Sequence, residues 1–131
     1  MKFKVKTIED LKPVIECIKN SNKNIILLSG TLGSGKTTLV KEFLKSLGIN
    51  KEATSPTFSI QNRYGDIYHY DVYQKKEEFL ALGMLEELEK EGYHFIEWGE
   101  EIEDILDMYG FDYVKIKINL KEDIREIECQ Y

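Results

Sequence analysis

The chain has 131 residues, of which 42% are hydrophobic and 32% are charged, and this length and composition predict one soluble domain over residues 1–131. No apolar run approaches the roughly 20 residues that a membrane span requires, so we expect a cytoplasmic protein without a membrane segment. The formal net charge of −6 argues against a stand-alone nucleic-acid binder, because phosphate contacts need clustered Lys and Arg, and any action on RNA is expected to pass through a partner.

The predicted secondary structure alternates between helices and strands. Apolar residues three or four positions apart predict the helices, and short apolar or alternating runs predict the strands. In chain order we expect a helix over 7–21, a strand over 24–29, a loop over 30–35, a helix over 36–47, strands over 57–64 and 67–72, a helix over 77–91 with a break at Gly83, a strand over 93–97, a helix over 101–109, and strands over 113–120 and 124–129. This order predicts an α/β sandwich with a largely parallel central sheet, an antiparallel extension and helices on both faces.

Two local features refine these expectations. Thr7 and Asp10 are spaced as in a capping box at the start of the first helix, and Pro13 is expected to kink or shorten that helix. Gly65 and Asp66 form a turn signal, so the strands on either side of them are expected to pair as a hairpin.

Residues 30–37 read Gly-Thr-Leu-Gly-Ser-Gly-Lys-Thr and match the phosphate-loop pattern G-x-x-x-x-G-K-[ST] at every position. Glycines permit backbone angles at which successive N–H groups turn toward a phosphate, and the helix beginning near Lys36 adds its N-terminal dipole. Lys36 is expected to reach the β- and γ-phosphates, and the Thr37 hydroxyl to bind Mg²⁺. The predicted nucleotide-binding residues are Gly30, Thr31, Leu32, Gly33, Ser34, Gly35, Lys36, Thr37 and Thr38.

The loop alone does not choose among classes of P-loop NTPase-like proteins. A GTPase would carry an N-K-x-D guanine reader and an ABC-type ATPase an L-S-G-G-Q segment, and the sequence contains neither. A small-molecule kinase usually needs several arginines to clamp the transferred phosphoryl group. Arg63 and Arg125 are the two arginines of this chain, which is few for that chemistry, although Lys could replace Arg in part.

Four segments, in this order, resemble the bacterial TsaE family. They read G-T-L-G-S-G-K-T-T at 30–38, S-P-T-F at 55–58, H-Y-D-V-Y at 69–73 and I-E-W-G-E at 96–100. The resemblance covers about residues 7–130. It implies a Mg²⁺-dependent ATPase of tRNA threonylcarbamoyladenosine biosynthesis that acts on the TsaB and TsaD proteins and meets tRNA only through them. Hydrolysis by the chain alone is expected to be slow, because Lys36 and Mg²⁺ are the only cations that the motifs place at the phosphates. Gln74 stands where the family has Arg, and Lys75 could partly replace that charge.

Asp71 and Glu97 are the carboxylates singled out as catalytic, together with Lys36, and as metal ligands, together with Thr37. Each ends a predicted strand, which is where ligands bind in open α/β sheets. From the residues alone, a turn-forming role is the favoured interpretation of Asp71, and Glu97 could be a solvated carboxylate. The resemblance implies that Asp71 lies at the Mg²⁺ site and favours a role for Glu97 in binding Mg²⁺ or orienting the attacking water.

Trp98 and Thr57 are weaker candidates. Trp98 is either a wall of the site or a partner contact, or else a packing aromatic, and Thr57 is either a switch-like residue near the γ-phosphate or the start of a strand. His69 shows no metal-ligand spacing and is expected to be positional rather than catalytic. Cys17 and Cys129 are likewise expected to be reduced thiols of no special role.

Two other functions remain open on the sequence. A stand-alone kinase would turn over ATP rapidly with a small metabolite and without a protein partner. A nucleotide-dependent binding module would bind ATP without useful hydrolysis.

Overall fold

The computed structural model describes residues 1–31, 33–54, 56 and 60–131. The strands are β1 (Lys2–Val5), β2 (Ile25–Gly30), β3 (Gln61–Tyr64), β4 (Ile67–Asp71), β5 (Tyr93–Glu97), β6 (Val114–Lys121) and β7 (Ile124–Gln130). The helices are α1 (Lys12–Asn20), α2 (Lys36–Ser46), α3 (Lys76–Ala81), α4 (Met84–Glu87) and α5 (Glu103–Met108), and 3₁₀ turns lie at Ile8–Leu11 and Gly99–Glu101.

These strands form one sheet in the order β1-β7-β6-β2-β5-β4-β3. The four central strands β6, β2, β5 and β4 are parallel to one another, whereas β1, β7 and β3 pair antiparallel with their neighbours. The predicted sandwich, with its parallel centre and antiparallel extension, is therefore confirmed. Because the central strands are parallel, β2, β4 and β5 all end at one edge of the sheet, which is where ligands bind in open α/β sheets.

The sheet has an apolar core on each face. Strand β2 contributes to both cores, since Ile26 and Leu28 pack on one face and Ile25 and Leu27 on the other, as expected of a strand buried on both sides. Helices α1 and α2 cover the first face, where Phe43 of α2 meets the Phe95 ring edge-on at 4.9 Å. Helices α3 and α5 cover the second face. Packing of α2 against the first core fixes the end of the loop that precedes it.

Several predicted elements differ in their limits. The first predicted helix begins as the 3₁₀ turn, where Asp10 accepts a hydrogen bond from the Thr7 N–H at 3.0 Å. Pro13 lies in the first turn of α1 and does not kink it, because a proline there removes no intrahelical hydrogen bond. The break at Gly83 is confirmed, with φ of 73° between α3 and α4. The strand predicted over 57–64 begins later, at Gln61, with Ile60 outside it, and residues 57–59 lie outside the described residues.

Strand β1 has no counterpart among the predicted elements. Its sequence alternates Lys with Phe and Val, and Val5 is its one buried residue. The strand pairs along β7, where Lys2 lies opposite Glu128 and Lys4 opposite Glu126, so opposite charges face each other across the pair. No helix of the described residues is long and apolar enough to cross a membrane.

Candidate functional site

The loop between β2 and α2 has the backbone that the phosphate-loop pattern predicts. Gly30, Gly33 and Gly35 have φ of 147°, 75° and 112°, values that other residues rarely adopt. At Gly30 a Cβ atom would lie 2.6 Å from the Ile118 carbonyl oxygen and 2.7 Å from Ser34 Oγ, so no side chain fits there. Leu32, one of the predicted nucleotide-binding residues, lies outside the described residues.

Lys36 is held against this loop. Its Nζ donates to the carbonyl oxygens of Gly30 at 2.7 Å and Thr31 at 3.1 Å, and lies 4.2 Å from the centre of the Trp98 ring. Burial lowers the pKa of Lys36, and the negative charges of Glu97, Glu100 and Asp71 oppose that shift. The ammonium group is thus partly desolvated and points into the loop.

Thr37 and Glu97 meet at the end of strand β5. The Thr37 hydroxyl donates to Glu97 Oε2 at 2.8 Å, and His69 Nε2 lies 2.5 Å from the same oxygen. The Glu97 side chain is buried. Asp71 lies directly opposite Glu97 in the register of β4 and β5, and its Oδ1 accepts from the Tyr73 N–H at 2.9 Å. The structure therefore brings together Lys36, Thr37, Asp71 and Glu97, which the sequence predicts to act in one site.

These side chains line a cleft of about 300 Å³. Trp98 forms part of its wall, as one of the two interpretations of that residue predicts, and the Tyr73 ring lies 4.6 Å from the Trp98 ring. Thr57, the predicted switch residue, lies outside the described residues. The lining residues are Gly33, Ser34, Gly35, Lys36, Thr37, Thr38, Asp71, Glu97, Trp98 and Arg125.

The donor set of this cleft fits Mg²⁺ bound together with phosphate. Two carboxylates and one hydroxyl are oxygen ligands, which Mg²⁺ prefers, and it completes its coordination with waters and phosphate oxygens. Within the described part of the chain, no cluster of three or more His, Cys, Asp or Glu could hold a metal by itself.

Arg125 is a site residue that the sequence analysis does not identify. From β7 its Nε donates to the Ser34 carbonyl oxygen at 2.6 Å, and a Cβ atom on Gly35 would approach that same Nε to 3.1 Å. Arg125 also borders a second, smaller cleft of about 120 Å³ that adjoins the loop at Gly35 and Thr38. The remaining walls of the second cleft are mostly apolar and come from the N-terminal segment and strands β6 and β7: Val5, Lys6, Thr7, Ile8, Leu11, Ile118 and Ile127.

Gln74 stands where the family has Arg, and neither Gln74 nor the nearby Lys75 is among the residues that line the cleft. Gln74 has φ of 52°, and its N–H donates to Glu101 Oε1 at 2.9 Å. Gln74 and Lys75 line a separate surface depression with Lys76 and Glu101. Arg63 donates from Nε to the Gly65 carbonyl oxygen at 2.8 Å, on the turn between β3 and β4. Arg125 is thus the arginine that borders the loop.

Comparison with protein-family models identifies one family. The model described as "Threonylcarbamoyl adenosine biosynthesis protein TsaE" matches residues 5–127, which include the loop, both carboxylates and Arg125.

Curated relatives bear the same description, tRNA threonylcarbamoyladenosine biosynthesis protein TsaE. The Bacillus subtilis protein is 40% identical over 87 residues, which is 63% of this chain and 55% of that protein. The Treponema pallidum protein is 38% identical over 91 residues, or 66% of this chain and 67% of that protein. The Haemophilus influenzae protein is 31% identical over 110 residues, or 79% and 68%. The match to the Bacillus protein thus spans little more than half of its length.

A solved structure shares the fold. The crystal structure of Bacillus subtilis YdiB superimposes with a TM-score of 0.71 at 29% identity, covering 97% of this chain and 82% of that one.

Proposed function

Since a family model matches nearly its whole length, the chain belongs to the TsaE family of tRNA threonylcarbamoyladenosine biosynthesis proteins, and we propose that it is an ATP-binding, Mg²⁺-dependent ATPase that acts on a TsaB–TsaD complex. The observation that carries this proposal is the 2.8 Å contact between Thr37 and Glu97. It joins the hydroxyl of a phosphate loop to a carboxylate at a strand end, the pair that P-loop proteins use around a Mg-nucleotide.

The two adjoining clefts suggest how ATP would lie. The triphosphate would follow the loop in the larger cleft, where the N–H groups at the start of α2 and the ammonium group of Lys36 favour an anion. The purine base would occupy the second cleft, because that cleft is largely apolar and meets the loop at Gly35 and Thr38. Arg125, at the boundary between the two clefts, would contact the phosphate or ribose that joins base and triphosphate.

Thr37, Asp71 and Glu97 are the residues that we propose to hold Mg²⁺. When bound, the metal would stabilise negative charge on the phosphate oxygens. Glu97 and Asp71 would also orient the attacking water, since both carboxylates line the cleft and accept hydrogen bonds. The contacts of Glu97 Oε2 with Thr37 and His69 support this role, because they fix the orientation of the carboxylate.

We propose that hydrolysis by the chain alone is slow and that its partners accelerate it. The cations lining the cleft within the described residues are Lys36 and Arg125, and both already donate to loop carbonyls. An arginine supplied by another protein can raise phosphoryl-transfer rates on the order of 10³-fold or more. With a net charge of −6, the chain is a poor RNA binder, and we propose that contact with tRNA belongs to the TsaB–TsaD complex.

The decisive experiment measures ATP hydrolysis by the chain alone, with TsaB and TsaD, and with pools of small metabolites. We expect slow turnover alone and an increase on the order of tenfold or more with the two proteins. The Glu97→Gln variant, mixed with the same partners, controls for ATPase activity contributed by them. Fast turnover alone, or stimulation by a metabolite, would replace this proposal with the kinase. Nucleotide-dependent association without turnover would replace it with the binding module.

A further inference from the structure

We propose that His69 is a positioning residue that holds the carboxylate of Glu97 in place from within the sheet. His69 is fully buried on β4, and its Nε2 lies 2.5 Å from Glu97 Oε2. The inference rests on the proposed function in that Glu97 is the carboxylate of the Mg-nucleotide site. It goes beyond that function because His69 is not among the residues that line the cleft, and it would act only through Glu97.

The sheet register explains how the contact forms. In the parallel pair β4–β5, His69 lies opposite Phe95 and Asp71 lies opposite Glu97. Residues two apart on a strand point to the same face, so His69 and Glu97 are diagonal neighbours on one face of the sheet. His69 therefore reaches the carboxylate from within the sheet, whereas the Thr37 hydroxyl reaches it from α2.

The hydrogen-bond partners of the imidazole select one tautomer. Nδ1 of His69 is buried and has no hydrogen-bond partner among the described residues. A buried N–H without an acceptor costs about 1–3 kcal/mol, so the proton belongs on Nε2, where it is donated to Glu97. A proton on Nδ1 in place of Nε2 would leave a buried donor unsatisfied and the carboxylate without this bond. The structure thus assigns an N–H group to Nε2, where it faces Glu97.

Two donors hold the same carboxylate oxygen. Glu97 Oε2 accepts from Thr37 Oγ1 at 2.8 Å and faces His69 Nε2 at 2.5 Å. In the proposed function, Thr37 would bind Mg²⁺ through a lone pair of its hydroxyl oxygen and still donate its proton to Glu97, because a hydroxyl has one donor and two acceptor lone pairs. His69 supplies a second donor from the sheet, so the orientation of the carboxylate does not depend on Thr37 alone. Mutation of a residue that orients a metal ligand in this way typically lowers metal affinity or activity by about 10- to 100-fold.

The chain provides an internal control, because it has two histidines. His94 is also buried, but both of its nitrogens have partners: Nδ1 lies 2.7 Å from the Tyr70 hydroxyl and Nε2 lies 2.8 Å from the Lys90 carbonyl oxygen. Since a carbonyl only accepts, His94 also carries its proton on Nε2. The two rings therefore share a tautomer and differ in what their Nε2–H group binds.

Nitrogen NMR of the imidazole rings tests the contact without nucleotide or metal. We expect the Nε2–H pattern for both histidines, and in Glu97→Ala a shift of the His69 Nε2–H signal with that of His94 unchanged. An Nδ1–H pattern for His69, or no response to Glu97→Ala, would overturn the proposal. This measurement does not depend on ATPase activity, so it tests the His69–Glu97 contact even if the chain proves not to be an ATPase.

His69→Leu and His69→Gln test the consequence for the site. Leu removes the donor, whereas the Gln side-chain amide can place an N–H near the position of Nε2. For His69→Leu we expect the Mg²⁺ concentration for half-maximal ATP binding to rise about 10- to 100-fold, with Mg-free ADP affinity within about twofold of wild type, and His69→Gln should recover most of the loss. Equal weakening of Mg-free ADP binding, or no recovery with Gln, would show a merely structural histidine. If His69→Leu does not fold, the Mg²⁺ dependence of ATP binding by His69→Gln and the NMR measurement still test the role of His69.

Discussion

Replacing Lys36 by Met separates the cost of burying the ammonium group from its use in binding ATP. Met retains most of the apolar stem of the side chain and removes the charge, so packing around the buried stem changes little. In the wild-type chain the ammonium group already donates to two carbonyl oxygens. Nucleotide binding therefore exchanges these partners for phosphate oxygens, and only the difference between the two sets contributes to affinity.

The magnitude follows from that exchange. Hydrogen bonds involving charged groups contribute about 1.5–3 kcal/mol, and those between two opposite charges are the stronger kind. Taking the net gain as about 2 kcal/mol, Lys36→Met is expected to weaken Mg-ATP binding about 30-fold. The melting temperature should be equal to or higher than that of wild type, because burial lowers the pKa of Lys36 and the folded chain gains little from the charge.

Calorimetry with a non-hydrolysable ATP analogue measures the affinity, and thermal unfolding without nucleotide measures the stability. Trp98 is the single tryptophan of the chain and lies under the Lys36 ammonium group, so its fluorescence should change when wild type binds nucleotide. Lys41→Met is the matched control, since Lys41 lies on the same helix but pairs with Glu52 at 3.8 Å. Wild-type affinity in Lys36→Met, or equal losses in both variants, would refute the reasoning.

Three further perturbations test other parts of the site and fold. Glu97→Gln and Asp71→Asn should each lower single-turnover hydrolysis on the order of 10²-fold and leave the melting temperature within a few degrees of wild type. Arg125→Gln should weaken ATP binding about tenfold or more, as expected for loss of one charge-assisted hydrogen bond, measured by the same calorimetry. Treatment with diamide, a two-electron thiol oxidant, should join Cys17 to Cys129, whose sulfur atoms lie 2.6 Å apart, and raise the melting temperature by about 10 °C.

Each of these tests has its own control. Arg63→Gln removes the other arginine, which is exposed and bonded to its own turn, and equal losses in both arginine variants would contradict a role for Arg125 in the site. The oxidised chain should lose two thiol hydrogens by mass spectrometry, and Cys17→Ser should abolish the change. Burial raises the pKa of Cys129 to about 12, so the reaction should be slow at neutral pH. Unchanged hydrolysis in both carboxylate variants would return Asp71 and Glu97 to structural roles.

The phosphate loop could be predicted from the sequence because its determinants are contiguous. The buried strand, the three glycines and the helix that make the loop all lie between Ile25 and Ser46. The carboxylates Asp71 and Glu97 could also be placed, because each ends a strand and parallel strands end at a common edge. What the sequence could not supply was the diagonal contact of His69, since that depends on the register between β4 and β5.

Strand β1 and the cysteine contact could not be predicted for a related reason. The β1 segment has little apolar character, and its pairing partners Glu126 and Glu128 lie at the other end of the chain. Cys17 and Cys129 are 112 positions apart, and they meet only because α1 packs against β7. Local periodicity carries no information about contacts that arise when both ends of a chain join the same edge of the sheet.

The position of Arg125 links the antiparallel extension of the sheet to the phosphate loop. Gly30 pairs with Ile118 of β6, and Ile118 pairs with Ile127 of β7, so Arg125 lies beyond the end of β2 and reaches the Ser34 carbonyl 91 positions away. Both cations of the cleft thus hold loop carbonyls before any phosphate is present. Because nucleotide binding must break these contacts, part of the attraction for phosphate is used in releasing Lys36 and Arg125. Less of their attraction is then left to stabilise the charge that develops during hydrolysis, which is the physical reason to expect that a partner must add positive charge before turnover becomes fast.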